Sequence, residues 1–227
     1  MVRSNIILWK FILSFGFFLL FFTFDIKDQA YNRSQLYTPR SLDGGALEYD
    51  LLAVTDLDHD SKVSNKKWQS IVKRGVLRIS ADQKAVSVKW NTESVVPLTT
   101  EISSGGRAME LSDLAVFDGR LLAADDRTGL IYEIKENKAY PWVFLIDGSG
   151  NATKGLKAEW LTVKGDKLYA GGLGKEWTTT DGVYVNDNPM WIKVVSRTGE
   201  VRNSYFLNLL WFFNENTSKI LEGIFSY

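Results

Sequence analysis

From about residue 47 onward, short apolar runs separated by polar turns fill the chain, and several alternate with the period of two expected of strands. Leu51-Leu52-Ala53-Val54 reads as a short buried strand. Trp68–Ser80 and Ala85–Trp90 alternate around a turn at Ala81-Asp82-Gln83-Lys84. The stretch Gly105–Gly129, GGRAMELSDLAVFDGRLLAADDRTG, organises the rest. Leu114 and Val116 run into Asp118-Gly119 and then Leu121-Leu122, and an Asp-Gly pair between two apolar runs is a strong hairpin signal. Asp125-Asp126-Arg127-Thr128-Gly129 forces a second turn, so the hairpin carries acidic groups at both ends. Leu130–Glu136 and Tyr140–Ile146 follow around Asn137-Lys138, and Asp147–Gly150 reads as a loop.

A repeat then appears. VFDGRLLAA at Val116 aligns with VKGDKLYAG at Val163, an offset of 47 residues, and a glutamate precedes each copy, Glu110 and Glu159. A strand–hairpin unit recurring at that interval is the mark of propeller blades. In such a fold, equivalent acidic residues of successive blades face a shared axis. Oxygen ligands brought together there suit Ca²⁺, which takes six to eight oxygens with loose geometry.

Composition narrows the chemistry. The 227 residues carry no net charge, which gives no reason to expect nucleic-acid binding. There is no cysteine and one histidine, His59, so disulfides, thiolate zinc sites and multi-histidine zinc centres are excluded. What remains is carboxylates, Lys and Arg, and a hard metal held by oxygen. Asp56, Asp58 and Asp60 have the spacing of an EF-hand start, but Ser61 and Lys67 stand where that loop needs Gly and Glu. Asp56 and Asp58 are then either a solvated strand-end loop or part of a site.

Phe11–Phe24 is a 14-residue apolar run, or 19 residues when counted from Ile6 across Lys10. This fits a signal-peptide core or an uncleaved signal anchor at 1–24. A stem at 25–46, a sheet-rich domain at 47–203 and a tail at 204–227 follow. Three sequons, at Asn32, Asn151 and Asn216, are compatible with the secretory route.

GGRAMELSDLAVFDGRLLAADDRTGLIYEI, PWVFLIDGSG, KGLKAEWLTVKGDKLYAGGLGKEWTTTDG and VNDNPMWIKVV resemble the calcium-activated nucleotidases, the apyrase family of five-bladed β-propellers, from Tyr31 to Arg202. The resemblance implies an all-β fold, here about three blades of an incomplete ring. It also implies Ca²⁺-dependent hydrolysis of nucleoside di- and triphosphates, UDP and GDP among them, in the endoplasmic reticulum, the Golgi or outside the cell. It places calcium ligands at Ser112, Asp113 and Glu159. It places a nucleotide site over Asp56, Asp58, Arg107–Glu110, Asp125-Asp126-Arg127 and Lys175-Glu176-Trp177. Ala108 stands where the family often has Gly, which would strain a backbone needing positive φ.

On this reading Asp56, Glu110 and Asp125 are the alternatives for the carboxylate that orients the attacking water. Asp58 and Asp126 belong to the same substrate site. Arg107 and Arg127 bind phosphate or make structural ion pairs, Lys175 joins them, and Trp177 stacks on a base or packs. The expected partners are nucleotides, a membrane through the anchor, and a second copy of the chain in a homodimer. The competing expectation is a shortened, inactive product that acts only as a binding module.

Overall fold

The computed structural model describes residues 30–34, 36, 38–93 and 95–205. The expected signal anchor and nearly all of the expected tail lie outside them. The described residues from Tyr31 onward group as one compact unit, and the architecture below belongs to it. Among the described residues no helix is long and apolar enough to cross a membrane.

The described chain is all-β and antiparallel. The first sheet holds β1 (Arg40–Ser41), β2 (Leu47–Ala53), β3 (Lys62–Ser64), β4 (Lys67–Ile79), β5 (Val86–Trp90) and β6 (Val96–Thr100). Its spine is the 13-residue β4, which pairs with β2 along residues 73–79, with β5 along 75–79 and with β6 along 68–72. The second sheet is a meander of β7 (Leu111–Phe117), β8 (Arg120–Asp125), β9 (Leu130–Lys135) and β10 (Lys138–Phe144). The third joins β11 (Trp160–Lys164), β12 (Lys167–Gly171), β15 (Trp191–Val195) and β16 (Val201–Tyr205). A two-stranded ribbon, β13 (Trp177–Thr178) with β14 (Tyr184–Asn186), leaves it between β12 and β15. Among the described residues no sheet closes on itself.

The Asp118-Gly119 hairpin forms as expected: both residues take positive φ, 50° and 74°, which is the turn that matches strand twist. The turn expected at Asn137-Lys138 lies one residue earlier. Glu136 and Asn137 adopt φ of 52° and 59°, and Lys138 already pairs with Lys135. The repeat is real in three dimensions, because Val116 pairs with Leu121 and Val163 with Leu168 in the first hairpins of successive sheets. Ala108 is not strained: the left-handed residue is its neighbour Met109, at φ 59°. The methyl of Ala108 is fully buried in the core instead.

Two cores flank the second sheet. On one face Phe117, Leu122, Ala124 and Ile131 meet Leu156, Leu161, Leu168 and Val195 of the third sheet and its lead-in. On the other, Ala123, Leu130, Tyr132 and Ile134 meet Trp68, Val72 and Leu98 of the first. Successive residues of β8 and β9 therefore point into different cores, which is why both strands read as nearly unbroken apolar runs. A buried lysine, Lys193, lies in β15 of the third sheet. Burial pushes Lys193 down to about 8, and its ammonium donates to the Gly148 carbonyl and, at 2.8 Å, to Asn203 Oδ1.

Candidate metal and phosphate site

The site grows from the ends of strands. Asp56 and Asp58 follow β2, Glu110 precedes β7, Asp125 ends β8 with Asp126 in the next turn, and Glu159 precedes β11. Each position is where a strand hands over to a loop, so a polar side chain can be held by the sheet without interrupting a core.

Asp125 is the keystone of the local backbone. It is fully buried, and its carboxylate accepts from the amides of Met109 (3.0 Å), Glu110 (3.3 Å) and Arg127 (3.1 Å) and from the Thr128 hydroxyl (2.7 Å). Burial pushes its pKa up and these four donors pull it back. With both oxygens occupied, Asp125 holds the lead-in to β7 against the turn after β8. Among the three carboxylates open to orienting a water, it has the least free acceptor capacity.

Close backbone contact sets the depth of that turn. Gly129, at φ 76°, has the Leu145 carbonyl and Gly155 Cα where a side chain would begin. At Gly155 a Cβ would fall 1.9 Å from the Thr128 carbonyl oxygen. The 125–129 turn is thus pressed onto the 155–157 segment, and this brings Asp126 to Lys157.

The carboxylates of Asp56, Glu110 and Asp126 offer oxygens that all lie within 4.8 Å of one another. Glu110, only 1% exposed, takes a bidentate fork from Arg107, with Nε at 2.6 Å and Nη2 at 2.5 Å. The same guanidinium reaches Asp58 at 2.8 Å and so ties the loop after β2 to the start of β7. Arg127 Nε stands 3.6 Å from Glu110. Asp126 has one oxygen on the Lys157 ammonium, while its Oδ1 is buried with no partner. Burial raises its pKa to about 6, with Lys157 opposing the shift and the Asp56 and Glu110 charges adding to it. Lys157 also binds Glu159. Burial disfavours the Lys157 ammonium, but its two carboxylate partners outweigh this and raise its pKa.

Asp113 lies on β7, and Glu159 lies just before β11. Asp113 accepts from the Leu114 amide (2.7 Å) and, across to β11, from the Leu161 amide (2.7 Å), two residues beyond Glu159. Asp113 therefore pins the start of β11 to β7. Ser112 sits at a bulge in the β7–β8 pairing, and its Oγ is buried without a partner. Lys175 and Trp177 are exposed near the β13–β14 ribbon, with Lys154 Nζ 5.3 Å from the Trp177 ring centre. Among the described residues neither joins the hydrogen bonds of the cluster. Lys157 is the residue missed by reading the sequence. The only signal was its two-residue spacing from Glu159, which puts both on one face of an extended segment.

The donors fit a hard cation. They are all oxygens, three carboxylates converge, and among the described residues Asp126 Oδ1, like Ser112 Oγ on β7, is a buried acceptor without a partner. The arginines and the lysine at their edge suit the phosphates of a substrate.

A sequence model of the family described as Apyrase matches residues 57–219. The resemblance read from the motifs ended at Arg202, and this match carries it further. "Apyrase apy-1" of Caenorhabditis elegans is 56% identical over 177 residues, 78% of this chain and 50% of that protein. "Soluble calcium-activated nucleotidase 1" of Rattus norvegicus is 45% identical over 195 residues, 86% of this chain and 47% of that protein. "Apyrase" of Cimex lectularius is 45% identical over 141 residues, 62% of this chain and 39% of that protein. The chain spans about half the length of the curated relatives it matches. On the match over 57–219, the chain belongs to the apyrase family.

Proposed function

We propose that the chain carries the phosphate-binding half of a Ca²⁺-dependent nucleotide phosphohydrolase acting on nucleoside di- and triphosphates, with UDP and GDP favoured, in the secretory pathway. The observation that carries this reading is the convergence of Asp56, Glu110 and Asp126 within 4.8 Å, with Arg107, Arg127 and Lys157 on the same carboxylates. The relative named a calcium-activated nucleotidase supplies the ion. The three antiparallel sheets are blades of a five-bladed propeller, and their first hairpins turn toward its axis.

Bound Ca²⁺ would neutralise the phosphoryl oxygens and draw electron density from the terminal phosphorus. Ser112 and Glu159 would hold it, and Asp113 would keep Glu159 in place. Arg107 and Arg127 lie where phosphate charge would arrive. Phosphoryl transfer needs positioning and charge stabilisation more than covalent help from the protein, and these residues supply both. Asp56 and Glu110 remain the choices for orienting water. Glu110 is already gripped by Arg107, so the exposed Asp56 is the freer of the two. An N-terminal anchor in residues 1–24 would set the chain on the lumenal side of the membrane.

The test is phosphate release from UDP and GDP by this chain, with Ca²⁺ and again with chelator. Release that needs Ca²⁺ supports the proposal. No release in either condition leaves the chain as a binding module.

A further inference from the structure

Lys157 occupies an unusual place. Its ammonium bridges two carboxylates from different sheets, Asp126 in the turn after β8 and Glu159 at the entrance to β11. Asp126 is 94% buried, and its second oxygen has no partner. Asp56 and Glu110 crowd the same spot with further negative charge. A cluster of carboxylates this dense needs a counter-cation in the unliganded chain, and Lys157 is the one that touches both sides.

We propose that Lys157 is a built-in placeholder cation. It holds Asp126 and Glu159 while no metal is bound, and it gives them up when a divalent cation binds, leaving the ammonium free to meet a substrate phosphate. The proposal rests on the reading of Glu159 as a cation ligand. The ammonium holds one oxygen of each carboxylate, Asp126 Oδ2 and Glu159 Oε1, so a divalent ion on Glu159 arrives beside an ammonium already on that group. It also brings two positive charges close to the ammonium, and their repulsion weakens the ammonium's hold on the shared carboxylates. A long unbranched side chain with three donors, 29% exposed, can swing to a new acceptor without disturbing either core. The handover would link metal occupancy to phosphate binding, because the cation that loads the site also releases the residue that greets the substrate.

Three chains test this: the wild type, Lys157→Met, which removes the charge at similar length, and Lys157→Arg, which keeps it. Trp160 lies next to Glu159 and can sensitise Tb³⁺ luminescence, so Tb³⁺ binding and its displacement by Ca²⁺ report the site without any substrate. The expected result is Ca²⁺ affinity about tenfold tighter in Lys157→Met and within twofold of wild type in Lys157→Arg. Equal or weaker affinity in Lys157→Met overturns the placeholder while leaving Glu159 as a ligand. No binding of Tb³⁺ or Ca²⁺ to any of the three overturns the reading of Glu159 and the placeholder with it. A second measurement needs no variant. Acetylation of Lys157 in the wild-type chain, followed by peptide mass spectrometry, should speed up several-fold when Ca²⁺ is added, and an unchanged rate overturns the handover.

Discussion

Replacing Asp125 with alanine removes the acceptor for three backbone amides and one hydroxyl, three of these bonds buried and that of Arg127 part-buried. An unsatisfied buried donor costs about 1–3 kcal/mol. The Thr128 hydroxyl can rotate to another acceptor, so the amides of Met109, Glu110 and Arg127 dominate the loss. Relief of the buried carboxylate's own desolvation returns part of it, since its raised pKa shows that ionisation there is opposed. The net expectation is roughly 3–5 kcal/mol, a large share of the 5–15 kcal/mol that holds a typical domain together. Asp125→Asn keeps the shape and one acceptor oxygen and should lose about half as much. Urea denaturation followed by tryptophan fluorescence measures both. If Asp125→Ala unfolds at the wild-type midpoint with an unchanged slope, the four hydrogen bonds do not organise this turn. If it also keeps wild-type cation binding, the turn does not position Asp126.

Other residues give sharper individual outcomes. Arg107→Met leaves the Glu110 charge buried without its bidentate partner and should cost about 3–5 kcal/mol by urea denaturation, with Arg107→Lys recovering only part of it. Gly155→Ala would place a methyl 1.9 Å from the Thr128 carbonyl oxygen. It should destabilise by about 1–3 kcal/mol and weaken Tb³⁺ binding by shifting the 125–129 turn. Asp126 makes stability depend on pH. Its folded pKa of about 6 exceeds the ordinary 3.8, so between those values the folded chain keeps a proton that the unfolded chain has lost. Stability from this group is complete at low pH and falls by about 3 kcal/mol as pH rises through 6. Urea midpoints from pH 4 to 7 should show this slope in the wild type and not in Asp126→Asn.

Local features of the fold were legible in the chain because local physics decides them. Asp118-Gly119 forms a hairpin because both residues accept positive φ, and β4 alternates along residues 67–72 because one of its faces is buried, whereas all five residues of β5 are exposed. The 47-residue repeat gave the first hairpins of two successive sheets. Long-range pairing was not legible. Nothing near Arg107 in sequence announces that it reaches Asp58, 49 residues away, and nothing in β4 shows that one strand serves four partners. Among the candidate residues, spacing could mark Asp56, Glu110 and Asp126 as acidic strand ends, but only the packing of Gly129 on Gly155 brings Lys157 among them. Ala108 shows the opposite limit. A family glycine suggested a positive φ there, whereas the backbone makes its left-handed turn one residue later.

The most direct test of the whole account is a crystal of this chain grown with Ca²⁺ and a non-hydrolysable UDP analogue. The account predicts one ion with oxygen ligands at about 2.3–2.6 Å drawn from Glu159 and the Asp56–Glu110–Asp126 carboxylates, and a terminal phosphate against that ion and Arg107. An ion bound elsewhere, or a phosphate that touches neither the ion nor Arg107, contradicts it.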